Sequence, residues 1–556
     1  MTKITGGEVV YRTLKANGID SVFGLLGGSM LELYDAMHQG GAIAYVGARD
    51  ERAAGHMADA WARMTGKPGV VLGAQAGPGV VNLVTAVAEA HLAYSPMVVI
   101  AGAITRADQA KDTFQEVDQV ALFAPIAKRS VMVTDQVRLG PMLEDAIRLA
   151  NSGRRGPVVL HVPRDLFLAE VPSVDPKPVN IARPGPAAPA DVAAIAEMLS
   201  SAKRPVIFAG GGFKWGKGRD ALTALVDKLQ IPLVASTGHA DVMRHGHPWF
   251  AGQGGPRGNR VAARLTKVAD VLVVLGARLG FNSTFHSNDY VGVDSRIAQV
   301  DIEASDVGRY FPAEIAAQGD ARLTAEALRP LSARPNCDEW REAFRSDMDS
   351  LLAERAEEAK IATLPMHPRR ALAEIRATLP ENAIVTLDTG NTCLQAADRL
   401  AHYAPLSLIT PLDFGLVGFG LAAAIGAKAA APDRPVVAIM GDGAIGYTMI
   451  EIQTAVSHKL PIVIIVLDNE AWGAEKAYQQ EFYGGRLLGA EIASPRFDRF
   501  ATSCGGKGIW VAGPGDMGPA LAEALASGET TVIQAKIDPG ALMTLRKDLF
   551  KAPKKD

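Results

Sequence analysis

Asp442 and Asn469 stand 27 positions apart, and each lies just past an apolar, strand-sized run, 436–440 before the first and 462–467 before the second. A carboxylate, an amide oxygen and the nearby main-chain carbonyl of Ala471 make a hard-oxygen set suited to Mg²⁺, which completes its octahedron with phosphate oxygens and water. Asp442 lies in Gly441-Asp442-Gly443-Ala444-Ile445-Gly446, and Asn469 lies in Asp468-Asn469-Glu470-Ala471-Trp472-Gly473. The glycines let backbone approach a diphosphate, and the N-terminus of the helix that follows favours its negative charge. Alone, a Gly-Asp-Gly is a turn with an N-cap aspartate, and chance supplies one in a chain this long roughly one time in five. The asparagine at the next strand end lowers the chance reading, because ligands of open parallel sheets gather at the carboxyl ends of strands.

Such a sheet is what the rest of the sequence predicts. Short β-branched runs such as Gly69-Val70-Val71-Leu72, Met97-Val98-Val99-Ile100, Pro157-Val158-Val159-Leu160, Pro205-Val206-Ile207-Phe208 and Val271-Leu272-Val273-Val274 are each followed by a helix-length amphipathic stretch. Continuous apolar strands alternating with helices indicate parallel sheets covered on both faces, an α/β fold. Proline-rich breaks fall at 171–189 and 336–364, the second around a charged helical stretch from Asp338 to Lys360. They divide the chain into three Rossmann-like, doubly wound units at 1–170, 190–335 and 365–545, with a short basic tail at 546–556.

Composition narrows the function classes. With 57 Lys+Arg against 60 Asp+Glu among 556 residues, the net charge of −3 gives no electrostatic footprint for nucleic acid. Three scattered cysteines form neither a disulfide framework nor a zinc site. The apolar runs are far shorter than the ~20 residues of a membrane span. With no apolar leader at Met1–Gly7, a cytoplasmic, multidomain protein without membrane partners is expected.

Four segments of the first unit add to the motif of the third. They are Val22-Phe23-Gly24-Leu25-Leu26-Gly27-Gly28-Ser29, Arg49-Asp50-Glu51-Arg52-Ala53-Ala54-Gly55-His56, Ala74-Gln75-Ala76-Gly77-Pro78-Gly79-Val80-Val81-Asn82 and Phe114-Gln115-Glu116-Val117-Asp118-Gln119. In order and spacing they, with Gly441-Asp442-Gly443 and Asn469, resemble the thiamine diphosphate (ThDP) enzymes of the acetolactate synthase and pyruvate oxidase superfamily. The likeness covers almost the whole chain and is weakest between about 213 and 262.

The resemblance implies that the first unit binds the pyrimidine and the third the diphosphate. Asp442, Asn469 and Ala471 would hold Mg²⁺. Gly27, Gly28, Asn82, Gly441, Gly443, Ala444, Trp472 and Gly473 would line the cofactor. Glu51 would be the carboxyl that bonds the aminopyrimidine, allowing the ring's amine to deprotonate the thiazolium. Taken alone it is a glutamate in a helix's first turn, where the dipole favours it. Asp50 stands where the family usually carries His. Gln75 and Gln115 would face the substrate. Val417, in Phe414-Gly415-Leu416-Val417-Gly418-Phe419-Gly420, would be the wedge that bends the cofactor, a place where relatives often carry Met. In the family the two halves of a site come from different subunits, so a homodimer or homotetramer is implied.

Within the superfamily, Gln75, Arg278-Leu279-Gly280, Ala430-Ala431-Pro432-Asp433-Arg434-Pro435, the stretch from Trp472 to Glu491 and Leu545-Arg546-Lys547-Asp548 are more similar to sulfoacetaldehyde acetyltransferases than to acetolactate synthases. That implies acetyl transfer from sulfoacetaldehyde to phosphate with release of sulfite, with Lys476 and Arg486 as anchors for the anions. As solvated surface charges those two would have no such task. Asp50 and the apolar Leu25-Leu26 and Met30-Leu31-Glu32 would instead suit a decarboxylating carboligase acting on pyruvate or another 2-oxo acid, or a related aldehyde lyase.

In the central unit, Gly210-Gly211-Gly212 and Leu275-Gly276-Ala277-Arg278-Leu279-Gly280 follow strands, either as tight turns or as contacts for FAD or ADP, which relatives hold there. Two rivals remain. Gly418-Phe419-Gly420-Leu421-Ala422-Ala423 fits a dinucleotide fingerprint, but Pro411-Leu412-Asp413-Phe414 intervene where a strand should lead in. A non-catalytic relative would have no need to keep Glu51, Asp442 and Asn469 together.

Overall fold

The computed structural model describes residues 3–173 and 175–544; the expected tail at 546–556 and the motif at 545–548 lie outside the described residues. Three six-stranded sheets, parallel throughout, carry the chain. The first runs in the order Ala44–Gly47, Ser21–Leu25, Gly69–Gly73, Met97–Ala103, Pro157–Pro163, Arg129–Met132. The third runs Leu408–Ile409, Ile384–Leu387, Val436–Gly441, Val463–Asp468, Thr531–Lys536, Lys507–Val511. Numbered within its own unit, each of these orders is 2-1-3-4-6-5, whereas the central sheet, from Phe250–Gln253 to Ile315–Gln318, is 3-2-1-4-5-6. In either pattern the chain reverses direction beside its first strand, and the crevice outside the carboxyl ends there is where an open sheet takes a ligand. The strands reach this geometry because both faces are covered, and Val70, Val98, Ile100, Val437, Ile464 and Val466 are all fully buried.

The two units with the same strand order also share a core, in which Phe23, Met57 and Trp61 of the first meet Phe419, Ile425 and Met440 of the third. Its seam is formed by helices Glu51–Thr65 and Gly420–Ala430, both rich in Ala and Gly. Small residues bring backbone to backbone here: a Cβ on Gly426 would lie 2.0 Å from the Met57 carbonyl oxygen. The central unit has its own core. The segment expected as a second linker is mostly helix Asp338–Glu358, and its Trp340, Phe344 and Leu351 pack into that central core. Most of its charged positions lie on the outer face, Arg341 being the buried exception, which is why composition alone gave it the look of a connector. At 171–189 the linker reading needs a smaller correction, since Lys3–Thr5 pairs antiparallel with Glu170–Pro172 and ties the start of the first unit to its end. Among the described residues no helix is long and apolar enough to cross a membrane.

Candidate active site

At the reversal of the first sheet, strand Ser21–Leu25 leads into Leu26-Gly27-Gly28 and its neighbour Gly69–Gly73 leads into Ala74-Gln75. The two loops meet. The Gly28 N–H donates to Gln75 Oε1 at 2.9 Å, and a Cβ on Gly27 would strike the Ala74 carbonyl carbon at 2.7 Å, so only glycine fits there. Gln75 Nε2 in turn donates to Gln115 Oε1 at 2.6 Å. Gln115 has φ +69°, an unusual left-handed backbone for a side-chain-bearing residue, and such strain collects at functional sites.

Glu51 opens helix Glu51–Thr65, capped by the Asp50 carboxylate, which accepts the Arg52 N–H at 2.7 Å. The departure from the family's usual histidine therefore has a local task. The Glu51 carboxyl is 7% exposed, accepts from Asn82 Nδ2 at 3.0 Å, and sits so close to Gly79 that a Cβ there would meet Oε1 at 2.8 Å. Gly27, Gly28, Glu51, Gln75, Asn82 and Gln115 thus share one edge.

The third sheet repeats the arrangement. Strand Val436–Gly441 ends on Asp442 and its neighbour Val463–Asp468 ends on Asn469. The Asn469 amide directs one atom to within 3.1 Å of both Asp442 Oδ1 and the Ala471 carbonyl oxygen. When that atom is oxygen, three acceptors converge, and when it is nitrogen, it bonds both. Edges of this length match adjacent ligands of an octahedral Mg²⁺, about 3 Å apart when each lies about 2.1 Å from the ion. Burial pushes the Asp442 carboxyl up to about 6, with the nearby Asp468 adding to the effect and the Ser494 hydroxyl, 2.7 Å from Oδ2, opposing it. A divalent cation would remove that penalty on the charged form. Open space surrounds the Gly441 Cβ position, whereas at Gly443 a Cβ would meet the Trp472 ring at 2.7 Å. Ala444 is buried in the short turn of helix behind the aspartate, and the Gly473 Cβ position lies 3.0 Å from Asn469 Nδ2. The residues therefore fit a metal-bridged diphosphate.

Val417 is half-buried on a loop held by Asp388, and Gly418 of that loop lies against Tyr447, which meets Trp472 edge-on at 6.2 Å. The charges expected to anchor anions are placed differently. Lys476 is 8% exposed and its Nζ is 2.9 Å from Glu491, pinning the segment that pairs with the metal loop through Ala471 and Glu491. Arg486 is exposed on the same excursion.

Sequence reasoning passed over Asp388 and Ser494. Asp388 follows strand Ile384–Leu387, the partner of Val436–Gly441, so the strand-end logic that found Asp442 applies to it equally. Ser494 lies 52 positions from Asp442 in a loop and carries no such signal. The dinucleotide rival loses its footing, because Gly420 opens helix Gly420–Ala430 and the preceding strand, Leu408–Ile409, ends eleven positions earlier.

Models of the thiamine pyrophosphate enzymes match in three stretches: the N-terminal TPP binding domain at residues 4–122, the central domain at 192–328 and the C-terminal TPP binding domain at 388–535. The chain is 33% identical to a sulfoacetaldehyde acetyltransferase of Alcaligenes xylosoxydans xylosoxydans, over 99% of this chain and 96% of the relative. It is 32% identical to an acetolactate synthase large subunit of Parasynechococcus marenigrum, covering 97% and 88% of the two chains. The acetolactate synthase isozyme 3 large subunit of Escherichia coli is also 32% identical, with 94% and 93% covered. Three family domains in order, and relatives above 30% identity from end to end, make the chain a member of the thiamine pyrophosphate enzyme family and a ThDP-dependent enzyme.

Proposed function

We propose that this enzyme transfers an acetyl unit from sulfoacetaldehyde to phosphate, giving acetyl phosphate and sulfite, with Mg²⁺ holding its ThDP. The observation that carries the specific reaction is the whole-length similarity to sulfoacetaldehyde acetyltransferases, 33%, 32% and 31% identical in three organisms. The overall change breaks the C–S bond, oxidises the aldehyde carbon and reduces its neighbour to a methyl group, so no outside oxidant is consumed.

ThDP supplies a thiazolium carbon that becomes a nucleophile when deprotonated. Glu51, almost excluded from water and oriented by Asn82, offers the pyrimidine ring a carboxyl with which to share a proton. Asp442, Asn469 and Ala471 offer oxygens to the Mg²⁺ that would bridge the diphosphate. Gln115 offers its amide to the substrate, and Gln75 holds that amide in place. The halves of each site come from two subunits of a homodimer or homotetramer. In support, Leu26, Leu31, Phe114, Val117 and Leu488 stand exposed around the two crevices of a single chain.

The reaction is tested by incubating enzyme, ThDP and Mg²⁺ with sulfoacetaldehyde and phosphate while sulfite is measured, and in parallel with pyruvate while CO₂ and acetolactate are measured. Sulfite release is expected; CO₂ without sulfite would transfer the chain to the carboligase reading. Sedimentation tests the assembly, and an active monomer near 58.6 kDa would reject it.

The central crevice is proposed to take an adenine nucleotide, FAD or ADP. It is a cavity of about 1010 Å³ between Gly210–Gly212 and Gly276–Arg278, with Lys214, Arg154 and Arg155 on its walls. His239 lines it, half-buried, with its buried Nδ1 unpartnered and its ring 3.2 Å from the Gly211 Cβ position. Absorbance of a heat extract near 450 nm would show flavin and near 260 nm alone would show ADP; neither would sink the nucleotide reading.

A further inference from the structure

The amide chain at the first sheet's reversal has a direction. A backbone N–H can only donate, so the Gly28 N–H requires the oxygen of Gln75 to face it. The Gln75 amide nitrogen then has to face Gln115, and at 2.6 Å it has to find the Gln115 oxygen. With its oxygen engaged inward, Gln115 turns its NH₂ outward, and the residue is only partly buried. A glutamine without such a neighbour could present either end.

The backbone under Gln115 is fixed from two sides. The Glu116 carboxylate gathers the N–H groups of Ala110, Lys111 and Thr113 at 2.6, 3.3 and 3.0 Å. On the other side a Cβ on Gly77 would strike the Gln115 carbonyl oxygen at 2.4 Å, so the Gly77 turn is a close buttress. That turn is itself set by a second directed chain. The Gly77 N–H donates to Gln119 Oε1 at 3.0 Å, which leaves Gln119 Nε2 to reach the Gly102 carbonyl at 3.1 Å and His161 Nδ1 at 3.2 Å. His161 then carries its proton on Nε2, toward Ser130 Oγ at 2.9 Å, and Ser130 donates to the Val120 carbonyl at 2.9 Å. Every member has its partner in one orientation only, which is how a buried polar network specifies a single geometry.

We propose that Gln75 is a positioning residue that fixes Gln115 as a hydrogen-bond donor, so that the site selects a substrate oxygen that carries or gains negative charge, the sulfonate or carboxylate head or the carbonyl oxygen under attack. This rests on the ThDP reading of the same edge.

Two variants of Gln75 separate polarity from packing. Gln75→Glu keeps the acceptor for Gly28 but has no proton for Gln115, whose amide must turn its oxygen outward. Gln75→Met removes both bonds and leaves Gln115 free to turn. With the holoenzyme, kcat and KM are measured for sulfoacetaldehyde with phosphate and for pyruvate. Calorimetric binding of isethionate and lactate, the unreactive alcohols, gives a readout free of turnover, and ThDP affinity is measured alongside. The expected result is a fall in kcat/KM or analogue affinity of at least tenfold for Gln75→Glu, a smaller fall for Gln75→Met, and ThDP affinity within threefold of the parent. A rise in KM places the donor on the anionic head, and a fall in kcat places it on the carbonyl oxygen. In a Gln115→Met background the Gln75→Glu change should add nothing, because it acts through Gln115. Equal losses for Glu and Met, a full additional loss in the Gln115→Met background, or parent holoenzyme that binds none of the four compounds would overturn the proposal. Parent enzyme that fails to bind ThDP would instead remove the reading beneath it.

Discussion

The Asp388 carboxylate accepts the Gly418 N–H at 3.0 Å, across 30 positions of sequence, and takes the Gly420 N–H at 2.6 Å with its other oxygen. The two bonds flank Phe419 and fix the turn immediately after Val417, so the loop that would wedge the cofactor hangs from the end of the neighbouring strand. Asp388 is fully buried, and the desolvation that follows pushes its carboxyl up to about 6 despite these N–H donors.

A pH dependence follows, with a definite sign. The folded state holds the Asp388 proton more tightly than the unfolded chain, whose carboxyl titrates near 3.8. Its contribution to stability is therefore intact below about pH 4, lost as pH rises toward 6, and absent above. Asp388→Asn should remove this slope from the apo protein, shifting the stability difference from the parent by up to about 3 kcal/mol between pH 4 and 7. Chemical denaturation at both pH values checks it, and a constant difference between variant and parent would exclude the titration.

Glu51→Gln should keep ThDP bound while activity falls by ~10²–10⁴-fold, the usual worth of a positioned proton-transfer group. Calorimetry for the cofactor and turnover for the chemistry read the two effects separately. Parent-like turnover would strip Glu51 of its role.

Removing the metal should remove the cofactor. Asp442→Ala, or EDTA on the parent, is expected to abolish ThDP binding. Ser494→Ala, which releases Asp442 Oδ2 from its 2.7 Å donor, should weaken Mg²⁺ by about 10–100-fold, as loss of an outer-shell partner does. Titration of Mg²⁺ against cofactor binding tests both, and full ThDP affinity in EDTA would refute the bridging ion.

Gly426→Ala should destabilise the chain by about 1–3 kcal/mol, because its methyl would fall 2.0 Å from the Met57 carbonyl and the helices must part. A thermal scan should show a lower midpoint, and an unchanged one would mean that the seam yields freely.

The strands and the third unit's strand-end pair were legible in sequence, because buried parallel strands carry unbroken β-branched runs and Gly441 to Gly443 and Asn469 stand just past two of them. Glu51, Gln75, Gln115 and the Gly77 turn were reached only through the family resemblance, since each alone reads as an ordinary connection between strand and helix. Helix Asp338–Glu358 was legible as a charged helical stretch but not as part of the central core, since only three of its aromatic or aliphatic side chains, Trp340, Phe344 and Leu351, are buried among a majority of charged positions. Lys476 was legible as a charge but not as the partner of Glu491, which lies 15 positions on and meets it only after the chain doubles back. Ser494 depends on a loop path, and the Gln119–His161 contact joins a short helix to a strand across 42 positions, which no local pattern encodes.

The repeated 2-1-3-4-6-5 order has a consequence for how such an enzyme can change. The residues that would meet coenzyme and substrate sit on connections just beyond the strand ends, Glu51 at the start of its helix among them, while the ladders beneath are occupied only with one another. New specificities could then be written into those connections one at a time, leaving the sheets that carry them undisturbed.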